Sequence, residues 1–203
     1  MEQVLRKLIT AAVAATTAGT SLLLMPAANA APEPSVQLGG VHDGQVTLDG
    51  LTELVIQRIL IGDDVAASKY FSGKPVDDPV REQQILTSVR ASAGRLGIDL
   101  DATAAFFQAQ IDASKVVQRG LLADWAAHPD KAPTSGPDLN VIREKLDALT
   151  TQLLAELVRV DHLRQSGLRC DIALVVANAT GAARHHLDPL HRRALRTGSA
   201  ATC

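Results

Sequence analysis

The stretch Asp138–Gln165, DLNVIREKLDALTTQLLAELVRVDHLRQ, decides the fold. Leu139, Ile142, Leu146, Leu149, Leu153, Leu157 and Val160 recur at steps of three and four, a near-heptad seam that lies on one face of a helix. Asp138 suits an N-cap, and Ser166-Gly167 ends the pattern. The flanking regions read the same way. On the N-terminal side, Phe107, Ile111, Leu121 or Leu122, and Trp125 form the apolar stripe of a helix that begins at Asp99 or Asp101 and reaches about Ala127. The segment His128–Pro137, HPDKAPTSGP, is a loop by its Pro, Gly and Ser content. Asp78-Pro79 places a capping residue before a proline at the first helical position, predicting a helix to Leu96 with Gly97 just beyond it.

Further back, Leu51, Leu54, Val55 and Ile59 predict a helix over about Thr47–Ile61. Asp63 and Asp64 are read as caps of a separate short helix from Val65 to about Phe71. On the C-terminal side, helical pieces are expected over Leu168 to about His185 and Pro189–Arg196, followed by a tail with no clear pattern. No stretch alternates with period two for long enough to form a convincing strand. The expected fold is all-α, a single-domain bundle of about six helices.

Composition agrees. The 203 residues suit one domain, 46% are hydrophobic and 21% charged, the balance of an ordinary globular protein. The abundance of Ala and Leu beside only three Phe, one Tyr and one Trp favours helices. Arg6 and Lys7, the apolar run Leu8–Met25 and the A-x-A sequence Ala28-Asn29-Ala30 mark residues 1–30 as a secretory signal peptide. An uncleaved membrane anchor is the alternative, given the length of the apolar run. Residues 31–46 read as a flexible leader and 47–203 as the folded domain. Loss of Glu2, Arg6 and Lys7 moves the formal charge from −2 to −3, and that balance gives no basic footprint for nucleic acid. Cys170 and Cys203, both in the exported part, are expected to form one structural disulfide. A reactive thiol pair is the alternative, though the C-x-x-C spacing is lacking.

Polar residues placed among apolar positions are the functional signal. Arg58 falls on or beside the stripe of the first helix. Lys69 lies on the short helix after it, and Asp78, Arg81 and Glu82 start the next. Ser114 and Gln118 interrupt the Phe107–Trp125 stripe one turn apart, and Arg143 borders the long seam. Each has a structural reading too: Asp78 as a cap, Arg81 and Glu82 as first-turn surface charges, Ser114 and Gln118 as stripe-edge polars. Taken as a set, the cations suit a ligand with more than one carboxylate or phosphate, because Arg offers a planar fork and Lys a movable charge. No Cys/His set with ligand spacing suggests a metal. His185, His186 and His191 are read as surface histidines rather than ligands.

These residues carry a resemblance. Arg58 in LVIQRIL, Lys69 in VAASKYF, Asp78, Arg81 and Glu82 in DDPVREQQ, Ser114 and Gln118 in QIDASKVVQ, and Arg143 in DLNVIREKL occur in an order and spacing similar to those of the all-helical, AroQ-class chorismate mutases. The signal peptide and late cysteine pair resemble the secreted subclass, over about Leu48–Cys203. The resemblance implies a Claisen rearrangement of chorismate to prephenate, needing neither cofactor nor metal, and secretion or release to the cell envelope with no membrane association after cleavage. It implies that Arg58 and Arg143 clamp the substrate carboxylates, with Arg81 and Ser114 assisting. Lys69 and Gln118 would bond the ether oxygen, and Glu82 the ring hydroxyl with support from Asp78. The pairing of Glu82 with Gln118 departs from the secreted subclass, whose members can carry Gln and Glu there, and is closer to intracellular members. Arg143 on the same chain implies a pocket complete within one subunit, and the resemblance implies a homodimer. An isochorismate-pyruvate lyase on the same fold and a non-catalytic secreted helical binding module are the competing functions.

Overall fold

The computed structural model describes residues 46–203. The expected signal peptide and all but the last residue of the leader lie outside the described residues. Six α-helices make up the described chain: α1 (Asp49–Ser72), α2 (Pro79–Leu96), α3 (Leu100–Ala127), α4 (Leu139–Arg164), α5 (Leu168–Arg184) and α6 (Pro189–Gly198), with a short 3₁₀ turn at Pro129–Lys131. No strand occurs among the described residues. The expected all-α bundle and its count of helices agree with this.

The seam read from the sequence is the buried face of α4, where Ile142, Leu149, Leu153, Leu157 and Val160 are all buried. The helix α1 occupies the middle of the bundle, packing against α3, α4, α5 and α6. Its Leu51, Val55, Ile56 and Ile59 join Phe106, Phe107 and Val117 of α3 in the main core. Burial of this apolar surface is the dominant favourable contribution to folding.

One boundary differs from expectation. The two helices expected over 47–61 and 65–71 are one continuous α1, and Asp63 and Asp64 sit inside it as tertiary partners rather than caps. Asp63 meets His191 at 2.9 Å and Asp64 faces Lys145 at 3.7 Å. Gly62, just past the expected end of the first helix, lies inside α1 and serves close packing. A Cβ there would come within 3.1 Å of Val117, so the glycine lets α1 and α3 approach at some cost in helix propensity, about 1 kcal/mol.

The start of α2 follows the expected chemistry. Asp78 Oδ1 accepts from the Arg81 backbone N–H at 3.0 Å, while Glu82 Oε1 accepts from the Asp78 backbone N–H at 3.0 Å. Pro79 stands at the first helical position. These reciprocal bonds satisfy donors that a helix start leaves orphaned. Gly73 and Gly97 close α1 and α2 in the left-handed region, at φ +64° and +73°.

The C-terminus is better ordered than its sequence suggested. Cys170 and Cys203 form the expected disulfide. Thr202 is buried, and its carbonyl accepts from Arg164 Nε at 2.7 Å. Gln110, buried in α3, donates to the Gly198 carbonyl at 2.7 Å. These are contacts between residues 38 and 88 positions apart, so no local pattern announces them.

Candidate active site

Four helices enclose a cavity of about 520 Å³, and all eight candidate site residues line it. Arg58 and Lys69 come from α1, Asp78, Arg81 and Glu82 from the start of α2, Ser114 and Gln118 from α3, and Arg143 from α4. Ile85, Val89, Ile111, Leu139, Ile142, Leu146 and Leu154 supply apolar walls. The helical periods explain the convergence. Arg58 and Lys69 are eleven residues, three turns, apart on α1, and Ser114 and Gln118 are one turn apart on α3.

Arg58 is the most committed of these groups. Only 6% of it is exposed, and its Nη1 donates to the Leu146 carbonyl and to Thr150 Oγ1, each at 3.3 Å. Its Nε is buried with no partner. Burial draws its pKa down to about 10, with Asp147 opposing that shift and Arg81 adding to it. A guanidinium held this way keeps spare donors in a site where a carboxylate would satisfy them.

Lys69 Nζ donates to the Val76 carbonyl at 2.8 Å. Burial lowers its pKa, and Asp78, Asp77 and Glu82 pull it back up. An ammonium has three donors, so two remain beyond the Val76 bond. Gln118 is buried, donates from Nε2 to Ser114 Oγ at 2.9 Å, and leaves Oε1 buried with no partner. Arg81 faces Asp147 at 3.7 Å. Arg143 lies at the exposed rim, without a hydrogen bond or ion pair among the described residues.

Among the lining residues that the sequence did not single out, three pair with the candidates. Lys115 bridges Glu82 at 2.7 Å and Asp77 at 3.2 Å, Asp147 faces Arg81, and Thr150 receives Arg58. Lys115 follows Ser114 directly and lies three residues before Gln118, so the helical period could have placed it near the cavity. Nothing local signals Asp147 or Thr150 as partners. Of the three histidines expected at the surface, His186 is exposed, His185 is half-buried and His191 is buried. His185 Nε2 lies 2.9 Å from Glu53 Oε2, and His191, buried, meets Asp63 and Asp188 at 2.9 Å each. Glu53 and Asp63 both lie on α1, but ten residues apart, and among the described residues these groups do not gather into a metal-binding cluster.

A helical pocket with convergent cations, two neutral hydrogen-bonding groups and apolar walls has the chemistry to suit a compact polyanion. Known proteins narrow the class. Residues 49–119 match the family model described as chorismate mutase type II. The chain is 37% identical over 176 residues to a secreted chorismate mutase of Mycolicibacterium smegmatis, covering 82% of this chain and 94% of that one. It is 30% identical to a secreted chorismate mutase of Mycobacterium tuberculosis, covering 79% of this chain and 80% of the relative. Among solved structures, a chorismate mutase from Burkholderia phymatum superposes with a TM-score of 0.73 at 32% identity, covering 77% of this chain and 95% of that chain. The chain belongs to the chorismate mutase family, within its secreted branch.

Proposed function

We propose that this cavity is where the protein, as a chorismate mutase, rearranges chorismate to prephenate, and that the eight lining residues perform the reaction. The rearrangement is intramolecular. It needs no nucleophile, base or electron carrier, only a compact conformer and stabilisation of charge on the breaking ether oxygen.

Arg58 from α1 and Arg143 from α4 take the two carboxylates, with Arg81 and Ser114 beside the ring carboxylate. Lys69 turns its unused donors to the ether oxygen. The Gln118 amide completes that pair by rotating about its terminal torsion, so that Oε1 accepts from the Ser114 hydroxyl and Nε2 is released to donate into the cavity. That rotation also satisfies the orphaned Oε1. Glu82, already anchored by the Asp78 backbone N–H, accepts from the ring hydroxyl with its remaining lone pairs. Because both ether-oxygen donors strengthen as charge develops, their contribution falls on the barrier rather than on ground-state binding.

The observation that carries this reading is the joint placement of Lys69 and Gln118, 49 residues apart, on one cavity wall system with Arg58 and Arg143. The test is turnover of chorismate by the mature protein, with products identified. Lys69→Ala is expected to lower kcat by roughly 10²–10³-fold, as removal of a preorganised oxyanion donor does elsewhere, with prephenate the product. Release of pyruvate from isochorismate by the wild type would assign the lyase instead, and an unaffected Lys69→Ala variant would refute the proposed role of that residue. The same reading supports export of the protein, in keeping with the signal peptide in its sequence and the Cys170–Cys203 bridge.

A further inference from the structure

We propose that Lys115 is a positioning residue for this reaction: it holds the Glu82 carboxylate in the orientation that receives the substrate's ring hydroxyl. This rests on the reading of the cavity given above. Lys115 projects from α3 between Ser114 and Gln118 and lines the same cavity. Its side chain is 15% exposed and that of Glu82 is 19% exposed, so the pair is largely withdrawn from water.

The geometry fixes both ends of the carboxylate. Lys115 Nζ donates to Glu82 Oε2 at 2.7 Å, and the Asp78 backbone N–H donates to Oε1 at 3.0 Å. A glutamate otherwise rotates about three side-chain bonds. With one bond to each oxygen, it keeps a single orientation and still has lone pairs for a hydroxyl donor. Lys115 is itself held: Asp77 Oδ1 lies 3.2 Å from Nζ, and Arg119 Nη2 bonds both Asp77 oxygens at 2.8 Å. Burial draws the Lys115 pKa down, but Glu82 and Asp77 outweigh it and leave the pKa raised. The cation therefore persists across the neutral range.

Charge gives the second reason. A substrate with two carboxylates approaching Glu82 would meet an uncompensated negative group without Lys115. The Lys115 charge neutralises that repulsion while leaving the acceptor in place. A strut between α2 and α3 would use the same salt bridge, so the experiment must separate positioning from support.

The test is steady-state prephenate formation and thermal melting of the full mature chain for wild type, K115M, K115R, E82A and K115M/E82A. K115M is expected to lower kcat/KM roughly 10- to 100-fold, the range for losing a hydrogen bond to a charged group, with K115R recovering most of it. In the E82A background, adding K115M should change kcat/KM by less than about threefold, because the two residues act as a unit. Full activity in K115M beside a loss in E82A would overturn the inference and leave the role of Glu82 standing. Effects that multiply in the double variant would also overturn it, as would an activity loss in K115M accounted for by its unfolded fraction at the assay temperature. An E82A variant as active as wild type would remove the proposed role of Glu82, and the inference with it.

Discussion

Replacing Arg58 with methionine should abolish most activity while making the protein more stable. The guanidinium is buried, and its pKa falls from the ordinary guanidinium range to about 10, a drop of about two and a half units, chiefly through desolvation. At about 1.4 kcal/mol per unit, the fold holds a charge that costs about 3 kcal/mol. The sign is that of a base with a lowered folded pKa: the penalty is present at every pH below about 10 and is relieved only as pH climbs from there towards the range of a free guanidinium. Against it stand two hydrogen bonds of 3.3 Å, to Leu146 and Thr150, each contributing about 1 kcal/mol. Thr150 Oγ1 keeps its own 2.8 Å bond to the Leu146 carbonyl, so neither group is orphaned by the change. An Arg58→Met variant fills similar space and should gain about 1 kcal/mol, or about 3 °C in Tm. The same change removes one carboxylate clamp, two charge-assisted hydrogen bonds worth about 3–5 kcal/mol together, so kcat/KM should fall by about 10²–10⁴-fold. Circular-dichroism melts and loss of chorismate absorbance measure the two quantities on one preparation. A Tm lowered by more than about 5 °C, or kcat/KM within tenfold of wild type, would refute the reasoning and make Arg58 a structural cation.

Two further predictions concern pH. His191 has its pKa raised to about 9, first by its hydrogen bond to Asp63, against desolvation, and then by Asp188. A raised folded pKa means that the stabilisation is complete below about 6.5 and is lost as pH rises through 9. Both acids are about half exposed, so screening reduces the effect to on the order of 2 kcal/mol. Urea melts of wild type should lose stability across that window and those of His191→Gln should stay flat there; a flat wild-type profile would sink the assignment. In the proposed role, the Gln118 amide can donate to the ether oxygen without any ionisation of its own, so the pH–rate profile of wild type should be broad. Gln118→Glu should be active only while the new carboxyl is protonated, falling about tenfold per pH unit above its pKa. An equally flat profile for both proteins would show that residue 118 makes no such bond.

Much of the molecule is legible in the sequence. The near-heptad seam of α4, the Asp78-Pro79 start of α2 and the closing Gly97 are local signals, each set by backbone chemistry within a turn or two. The candidate residues were legible as intruders: a cation beside the stripe of α1, or an amide amid the stripe of α3, stands out because apolar positions recur with a known period. The disulfide was legible from two exported cysteines alone.

What failed to show locally was decided by packing. Asp63-Asp64 carries the signs of a new helix start, yet α1 runs through it from Gly62 onward. The glycine lets α3 come close and the aspartates find His191 and Lys145 on distant helices. The partners of Glu82 divide in the same way: the Asp78 N–H lies four residues off within the capping pattern, whereas Lys115 is 33 residues away on another helix. By itself, then, the sequence determined the all-helical class, the cap geometry and the identity of the polar groups that line the cavity, because periodicity and capping act over a few residues. Only the tertiary structure decided which acids neutralise which cations, that Arg58 is desolvated, and that residues from four helices share one cavity. Those outcomes depend on distances across the bundle, which no local pattern in the chain encodes.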